Sequence, residues 1–123
     1  MRWKQQSGQR TGCPIEATVS VMGGVWKPLI FYALLGGRRR FRDLRRLVPG
    51  PTARILTLQL RELEADGIVV RTVYAEVPSR VEYELTPLGR SLGPVLSALH
   101  RWGVFYGERQ GMADAGRDEA SRG

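Results

Sequence analysis

Cysteine and histidine are almost absent from this sequence. Its 123 residues include one cysteine, Cys13, and one histidine, His100. A single cysteine cannot form a disulfide within the chain, which fits a reducing compartment such as the cytoplasm. Zinc sites need several cysteine or histidine ligands at close spacing, and His100 has no such neighbours. We therefore expect no metal and no other cofactor, and a structural role for His100.

Long apolar segments and catalytic motifs are missing as well. The longest apolar run, residues 29–35, is far shorter than the roughly 20 residues of a membrane-spanning helix. The first ten residues are polar, unlike a signal peptide. No glycine-rich phosphate loop, paired carboxylates or nucleophile–base arrangement is found. The sequence thus predicts a cytoplasmic protein with no membrane partner and no enzyme activity.

Lysine is scarce, whereas arginine is abundant and clustered. The chain has 19 Lys and Arg residues against 12 Asp and Glu, a net charge of +7, and only Lys4 and Lys27 are lysines. Seven arginines and one acid, Asp43, lie between residues 38 and 54. Guanidinium groups match the geometry of phosphates, so a polyanionic partner is the leading hypothesis.

The length and the local patterns predict a single domain with two tails. Residues 1–12 have the composition of a flexible polar arm, and residues 111–123 that of a disordered tail of small and charged residues. The domain between them covers residues 13–110. A chain of this length would give two separate cores too little apolar material to be stable.

The periodicity of the domain indicates four helices, two strands and a last helix. The helices begin at Pro14, near Trp26, at about Phe41 and after a Thr52 cap, with the fourth ending before Gly67. The period then changes to two over residues 68–74 and 81–85. Thr86 caps the last helix, in which Pro94 should cause a kink. A heptad seam runs along that helix through Leu88, Leu92, Val95, Leu99, Trp102 and Tyr106.

This order of elements is typical of a winged helix-turn-helix. The predicted class is α+β, mainly α, with N-terminal and C-terminal dimerisation helices around the DNA-binding unit. On the fourth helix, Arg54, Leu58 and Arg61 fall opposite the apolar stripe, with Thr57 at the edge.

Several motifs together resemble the HxlR-type winged helix-turn-helix regulators, a MarR-like family. The resemblance covers about residues 13–107. The segments that carry it are Cys13-Pro14-Ile15, Trp26-Lys27-Pro28-Leu29-Ile30, Arg40-Phe41-Arg42-Asp43-Leu44, Leu56-Thr57, residues 60–67 and residues 78–86. One departure is Pro51-Thr52, where the family usually has Ile-Ser. The resemblance implies a homodimeric bacterial transcription factor that binds inverted-repeat operators, with an N-terminal cysteine that senses oxidants or electrophiles in some members.

The arginines divide into two predicted groups of DNA contacts. The fourth helix is the predicted recognition helix, the one that would enter the major groove. Phosphate contacts are expected from the arginine cluster before this helix, and base contacts from the helix itself. The first group contains Arg38, Arg39, Arg42, Arg45 and Arg46. The second contains Arg54, Thr57, Leu58 and Arg61, with the capping Thr52 beside them. Arg80, at the base of the wing, is expected to reach the minor groove or a flanking phosphate.

Each of these assignments has an alternative. The arginine cluster is equally typical of a solvated helix face. Arg61 has Glu62 and Glu64 as potential partners, and Arg80 has Glu76 and Glu82. In the alternative interpretation, Leu58 packs beneath the wing and does not contact a thymine methyl.

Cys13 is the candidate redox site. It precedes a helix that starts at Pro14, where the helix dipole favours a thiolate, and Arg10 adds positive charge. The functional interpretation is a sensor thiol that forms a sulfenic acid, an adduct or an intersubunit disulfide. The alternative is an inert cysteine packed in a dimer interface.

The first and last helices are the candidate dimer interface. The predicted interface residues are Ile15, Val19, Leu92, Val95, Leu99, Trp102 and Tyr106, and plain core packing is the alternative. Trp26 is expected either in the core or in a ligand pocket between subunits.

The sequence therefore predicts a regulator that binds double-stranded DNA at a pseudo-palindromic operator as a homodimer, a repressor or autoregulator. The sequence does not decide whether a small molecule or an oxidant acts as an effector. The rival hypotheses are a winged-helix module for protein or RNA without operator specificity, and a small-molecule-gated regulator without redox chemistry.

Overall fold

The structure is a computed structural model that describes residues 12–111. Its elements are α1 (Pro14–Met22), α2 (Trp26–Leu35), β1 (Arg39–Arg40), α3 (Phe41–Leu47), α4 (Ala53–Ala65), β2 (Val69–Tyr74), β3 (Arg80–Leu85), α5 (Pro87–Arg90) and α6 (Gly93–Arg109). Apart from Gly12 and Gly111, the predicted arm and tail lie outside the described residues. The described residues divide into two compact units, one that contains α1 to α5 and ends at Leu92, and one that starts at Gly93 and contains α6.

The core of the first unit is made by the apolar stripes of its helices. The stripe of α4 follows the spacing of four and three that one helix face requires, through Leu56, Leu60 and Leu63. The largest fully buried side chains are Phe31, Ile30, Leu44, Leu56, Leu60, Leu63 and Val48. Because α2, α3 and α4 all contribute, the outer face of α4 is held on a packed helical base.

A tight turn joins α3 to α4. The turn has the sequence Pro49-Gly50-Pro51, which cannot continue a helix. The predicted cap of α4 is confirmed: Thr52 Oγ1 accepts a hydrogen bond from the backbone N–H of Ile55 at 3.1 Å. This bond satisfies one of the unpaired donors at the helix start.

The sheet is three-stranded and antiparallel, in the order β1-β3-β2. The predicted hairpin is present, with Val69 opposite Leu85 and Tyr74 opposite Arg80. Strand β1 is not part of the predicted order of elements. It places Arg40 opposite Glu82 in the register and so joins the helix-turn-helix to the wing.

The prediction of one kinked last helix is wrong, because the structure contains two helices. Thr86 caps α5, its Oγ1 accepting from the Gly89 amide at 3.0 Å, but α5 ends at Arg90. Proline has no N–H and fits the first turn of a helix, so a new helix starts at Gly93 with Pro94 inside its first turn.

The apolar side chains of the predicted seam are largely exposed on α6. Val95, Leu99, Trp102 and Tyr106 are all exposed, and Trp102 has a 60 % exposed side chain. The rings of Trp102 and Tyr106 stack with centroids 5.1 Å apart. Leu92, just before α6, is partly buried. Exposed aromatic residues of this size on one helix are typical of an interaction surface.

Within residues 12–111, no single helix is long and apolar enough to cross a membrane. Only α1 and α2 taken together, bent by 82° at their junction, reach the length and apolar composition of a span.

Candidate nucleic-acid interface

The outward face of α4 carries the side chains that were predicted to read bases. Arg54, Leu58 and Arg61 are exposed, and Leu58, at 44 % exposure, is not packed beneath the wing. Thr57 is partly buried, and its hydroxyl donates to the Ala53 carbonyl at 2.8 Å. Among residues 12–111, neither Arg54 nor Arg61 forms a salt bridge. Neither guanidinium group therefore has to break a salt bridge to residues 12–111 before it binds an external partner.

The two acids considered as partners of Arg61 are engaged elsewhere. Glu64 Oε1 lies 3.7 Å from Arg71 Nε. Glu62 forms a salt bridge with Lys27, whose side chain is only 6 % exposed. Lys27 is the buried charged residue of the described chain, and sequence reasoning did not single it out. The pair ties α2 to α4.

The arginines of α3 differ in their surroundings. Arg42 and Arg45 are exposed and form no salt bridge within the described residues. Arg46 Nη2 donates to Asp43 Oδ1 at 3.1 Å, and the backbone N–H of Arg40 donates to Asp43 Oδ2 at 3.1 Å. The Arg40 hydrogen bond, with the charges of Arg46 and Arg42, lowers the pKa of Asp43 despite the opposing effect of burial.

Arg38 and Arg39 are bonded to the protein itself. Arg39 Nε donates to the Ala33 carbonyl at 3.2 Å. Arg38 Nη1 donates to the Tyr74 hydroxyl at 2.8 Å, and Arg38 Nη2 donates to Glu84 Oε2 at 2.9 Å. The hydrogen bond and charge of Glu84 raise the pKa of Arg38. A phosphate would have to compete with these partners for either side chain.

The prediction that Arg80 lies at the base of the wing is wrong, because Arg80 pairs with Tyr74 next to the loop of the β2–β3 hairpin. Its Nε lies 3.3 Å from Glu82 Oε2, and its Nη2 lies 3.6 Å from Glu76 Oε2. The guanidinium carbon lies 4.1 Å from the centre of the Tyr74 ring. Both acids are those that the sequence offered as alternative partners, so external contact by Arg80 requires an exchange of ion pairs.

Sequence reasoning missed Arg40 and Glu84 as members of this surface. Arg40 Nε lies 4.0 Å from Glu82 Oε2, and Glu84 holds Arg38. The alternation of Glu82 and Glu84 along a strand puts both on one face and was the available signal. Which arginines contact Glu82 and Glu84 depends on the pairing of β1 with β3, and no local sequence pattern predicts that pairing.

Cys13 is partly exposed and lies immediately before α1. Its carbonyl accepts a hydrogen bond from the Glu16 amide at 2.8 Å. The Glu16 carboxylate turns back over the helix start and accepts from the Gly12 amide at 3.2 Å. The cysteine thus shares the helix start with a negative charge, while Arg10 lies outside the described residues. Ile15 and Val19 on the same helix are exposed.

Trp26 borders an apolar pocket in the first unit. The pocket has a volume of about 390 Å³. It is lined by Trp26, Leu29, Tyr32, Ala33, Leu47, Val48, Pro49 and Gly50. Trp26 is partly buried there, so it is neither a full core residue nor placed by the structure at a subunit boundary. Residues 12–111 contain no cluster of His, Cys, Asp or Glu able to hold a metal ion.

Comparisons with known proteins agree with this geometry. Residues 21–111 match the family described as HxlR-like helix-turn-helix. The uncharacterised HTH-type transcriptional regulator YybR of Bacillus subtilis (strain 168) is 53% identical over 94 residues, which is 76% of this chain and 75% of YybR. The similarity predicted from the motifs and the prediction that the chain is not an enzyme are both confirmed.

Solved structures of redox regulators are similar in fold. The redox regulator HypR in its reduced form superposes with a TM-score of 0.72 at 53% identity, over 74% of this chain and 90% of HypR. Diamide-treated YodB from B. subtilis superposes with a TM-score of 0.65 at 33% identity, over 79% of this chain and 97% of YodB. These neighbours confirm the predicted winged helix-turn-helix fold.

Proposed function

This chain belongs to the HxlR-like helix-turn-helix family of DNA-binding transcriptional regulators, and from that premise we propose that it binds a pseudo-palindromic operator as a homodimer. In this proposal α4 enters the major groove of double-stranded DNA in the cytoplasm, and the bound protein acts as a repressor or autoregulator. Two recognition helices related by a twofold axis would occupy half-sites about one helical turn apart.

The observation that carries the proposal is the row of arginines without salt bridges. Within the described residues, Arg42 and Arg45 on α3 and Arg54 and Arg61 on α4 are exposed and form no salt bridge. An exposed cation that keeps its charge unpaired favours a polyanion, since each phosphate contact releases a counterion. We assign phosphates to Arg42 and Arg45, with Arg46 beside them, and bases to α4.

The remaining predicted contacts take secondary roles in this proposal. Thr52 and Thr57 use their hydroxyls inside α4, so their contribution is to hold the helix and present its edge. Leu58 is the apolar candidate for a thymine methyl. Arg38, Arg39 and Arg80 reach phosphates only by exchanging the internal partners described above.

The homodimer is supported by exposed apolar side chains on α1 and on α6, each considered separately. Ile15 and Val19 are 69% and 60% exposed on α1. On α6 the exposed set includes Val95, Leu99, Trp102 and Tyr106. Burying such residues against a second copy removes apolar surface from water, which is the main driving force of association. Leu92 completes the proposed interface.

Selection of bound genomic fragments by the purified protein tests the proposal. We expect enrichment of a short inverted repeat, with affinity that falls steeply as salt rises because about six or more phosphates are neutralised per dimer. Enrichment without a symmetric motif, or tight binding of RNA with no protected duplex, would favour the rival protein or RNA module.

Redox control through Cys13 is the second part of the proposal, favoured by the similarity to HypR and YodB. Two Cys13 thiols would form an intersubunit disulfide, with diamide accepting the two electrons and two protons. Alternatively, hydrogen peroxide would oxidise one thiol to a sulfenic acid with release of water, or the thiol would add to an electrophile. We expect the mass of the oxidised protein to report the modification and Cys13→Ser to abolish the change in operator affinity. A full response of the Cys13→Ser variant would instead favour a small-molecule-gated regulator.

A further inference from the structure

Three guanidinium groups from different parts of the chain converge on the carboxylate of Glu82. Arg38 Nη1 lies 3.5 Å from Glu82 Oε1, while Arg80 Nε and Arg40 Nε lie 3.3 Å and 4.0 Å from Glu82 Oε2. The Glu82 side chain is only 15% exposed. One carboxylate is therefore the common partner of a cation before β1, a cation in β1 and a cation at the start of β3.

The strand register fixes this convergence. Glu82 lies on the central strand and pairs with Arg40 of β1 on one side. Arg80 precedes Glu82 by two positions, so both side chains lie on the same face of the sheet. Glu84 lies two positions further along that face and holds the second nitrogen of Arg38. The three cations are thus aligned by the backbone pairing of the wing.

Such a cluster would bind any duplex if its charges were free. Contacts from arginine to phosphate are independent of sequence and supply most of the affinity for non-specific DNA. A carboxylate among the three groups cancels part of their charge and limits the directions in which they can point. Both effects weaken indiscriminate binding more than binding at a site where all contacts form in register.

We propose that Glu82 is a positioning residue that sets the ratio of operator to non-specific DNA affinity. It restrains Arg38, Arg40 and Arg80 so that they meet phosphates only in the register that α4 selects. This inference rests on the proposed function, because it concerns how the same protein discriminates between duplexes.

The first test replaces Glu82 by Gln and Glu76 by Gln in separate variants. Each variant loses one negative charge, but Glu76 is more exposed, and among residues 12–111 its salt bridge is to Arg80 only. Binding to the selected operator and to a scrambled duplex is measured by fluorescence anisotropy at several salt concentrations. For E82Q we expect tighter non-specific binding, a non-specific salt slope steeper by about one, and an operator-to-scrambled ratio lower by about 10-fold. For E76Q we expect a ratio within about 2-fold of the unmodified protein.

A second variant separates position from charge. Glu82→Asp keeps the charge but withdraws the carboxylate by one methylene from all three guanidinium groups. We expect its salt slope to match the unmodified protein because the charge is kept, while its operator-to-scrambled ratio falls because the three guanidinium groups lose their restraint. A role confined to net charge would leave E82D unchanged, and a role confined to folding would shift both duplexes equally in E82Q and E82D.

The outcomes distinguish this inference from the function on which it rests. No operator preference in the unmodified protein would overturn the proposed function. Operator preference that E82Q and E82D leave intact would overturn only the role of Glu82. Circular dichroism confirms that each variant is folded, and if E82Q fails to fold, E82D alone decides.

Discussion

At the scale of single residues, arginines of one sequence cluster have different neighbours. Arg39 is bonded to a backbone carbonyl and Arg38 to Glu84, whereas Arg45 and Arg54 have no salt bridge within the described residues. Because an internal ion pair must be broken before an external one forms, the residues without salt bridges should dominate binding to DNA. The sequence separated Arg54 from the other three only by its expected contact to bases, and it did not show which of the four have internal partners.

Replacing Arg54 and Arg45 by Ala should therefore cause different defects in DNA binding. For a base contact, R54A should weaken operator binding by about 1–3 kcal/mol and relax discrimination at one base pair. For a phosphate contact, R45A should weaken operator and scrambled duplexes alike and lower the salt slope by about one. Anisotropy titrations on both duplexes measure the difference. Equal losses on both duplexes in R54A would contradict its role in base recognition.

The buried ion pair of Lys27 and Glu62 should respond unequally to the loss of each partner. Glu62→Ala leaves a buried ammonium group unpaired, so we expect a loss of about 1–3 kcal/mol in the free energy of unfolding. Lys27→Met fills the same space with an apolar chain, and the half-exposed Glu62 regains water, so its cost should be smaller. Urea denaturation of both variants provides the measurement. Equal costs would show that the pair is not the source of the effect.

The candidate site could be predicted in part from these residues. The exposed face with Arg54, Leu58 and Arg61 followed from the 100° step of a helix, which is a local property. The ion pairs between distant segments could not be predicted, because no local pattern connects their partners; Arg38 and Glu84 are 46 positions apart. For Arg80, both candidate acids lie within four positions in the sequence. Whether Arg80 pairs with them or with DNA depends on the three-dimensional positions of these side chains.

At the scale of elements, local signals located the helices and the hairpin. Thr52, Thr86 and Pro14 mark helix starts through hydrogen bonds or ring geometry that act within one turn, so they could be read directly. Strand β1 has two residues and exists only by pairing with β3, which leaves no period to detect. Pro94 signalled an interruption, but a kink and a new helix start give the same sequence signal.

In the turn between α3 and α4, Gly50 lies against the Trp26 ring. A methyl group at position 50 would overlap the indole, and Gly50 has no positive φ, so the effect is steric alone. We expect Gly50→Ala to lower the free energy of unfolding by about 1–3 kcal/mol. In a Trp26→Leu background the same change should cost clearly less, as thermal or urea unfolding of the four proteins of this cycle would measure. An equal cost in both backgrounds would exclude the indole as the cause.

At the scale of the whole molecule, the proposed dimer would double the DNA-binding surface. Leu99→Glu places a charge in the exposed apolar row of α6, and we expect it to give monomers in sedimentation velocity. Because linked half-sites gain affinity from effective concentration, operator affinity should fall by about 10²–10⁴. Arg101→Glu, which also adds a carboxylate but on the other face of α6, should remain dimeric. A dimeric L99E variant would place the interface elsewhere.

Strand β1 also has a consequence for the order of folding. The hairpin of β2 and β3 closes through a short loop, whereas β1 pairs with β3 only after a loop of more than forty residues has closed. Closing such a loop costs about 3 kcal/mol of conformational entropy, and two paired residues return little. We therefore expect the β1 edge to be the last part of the sheet to form and the first to open in local fluctuations. Backbone amides that pair β1 with β3 should then exchange with solvent faster than those that pair β2 with β3.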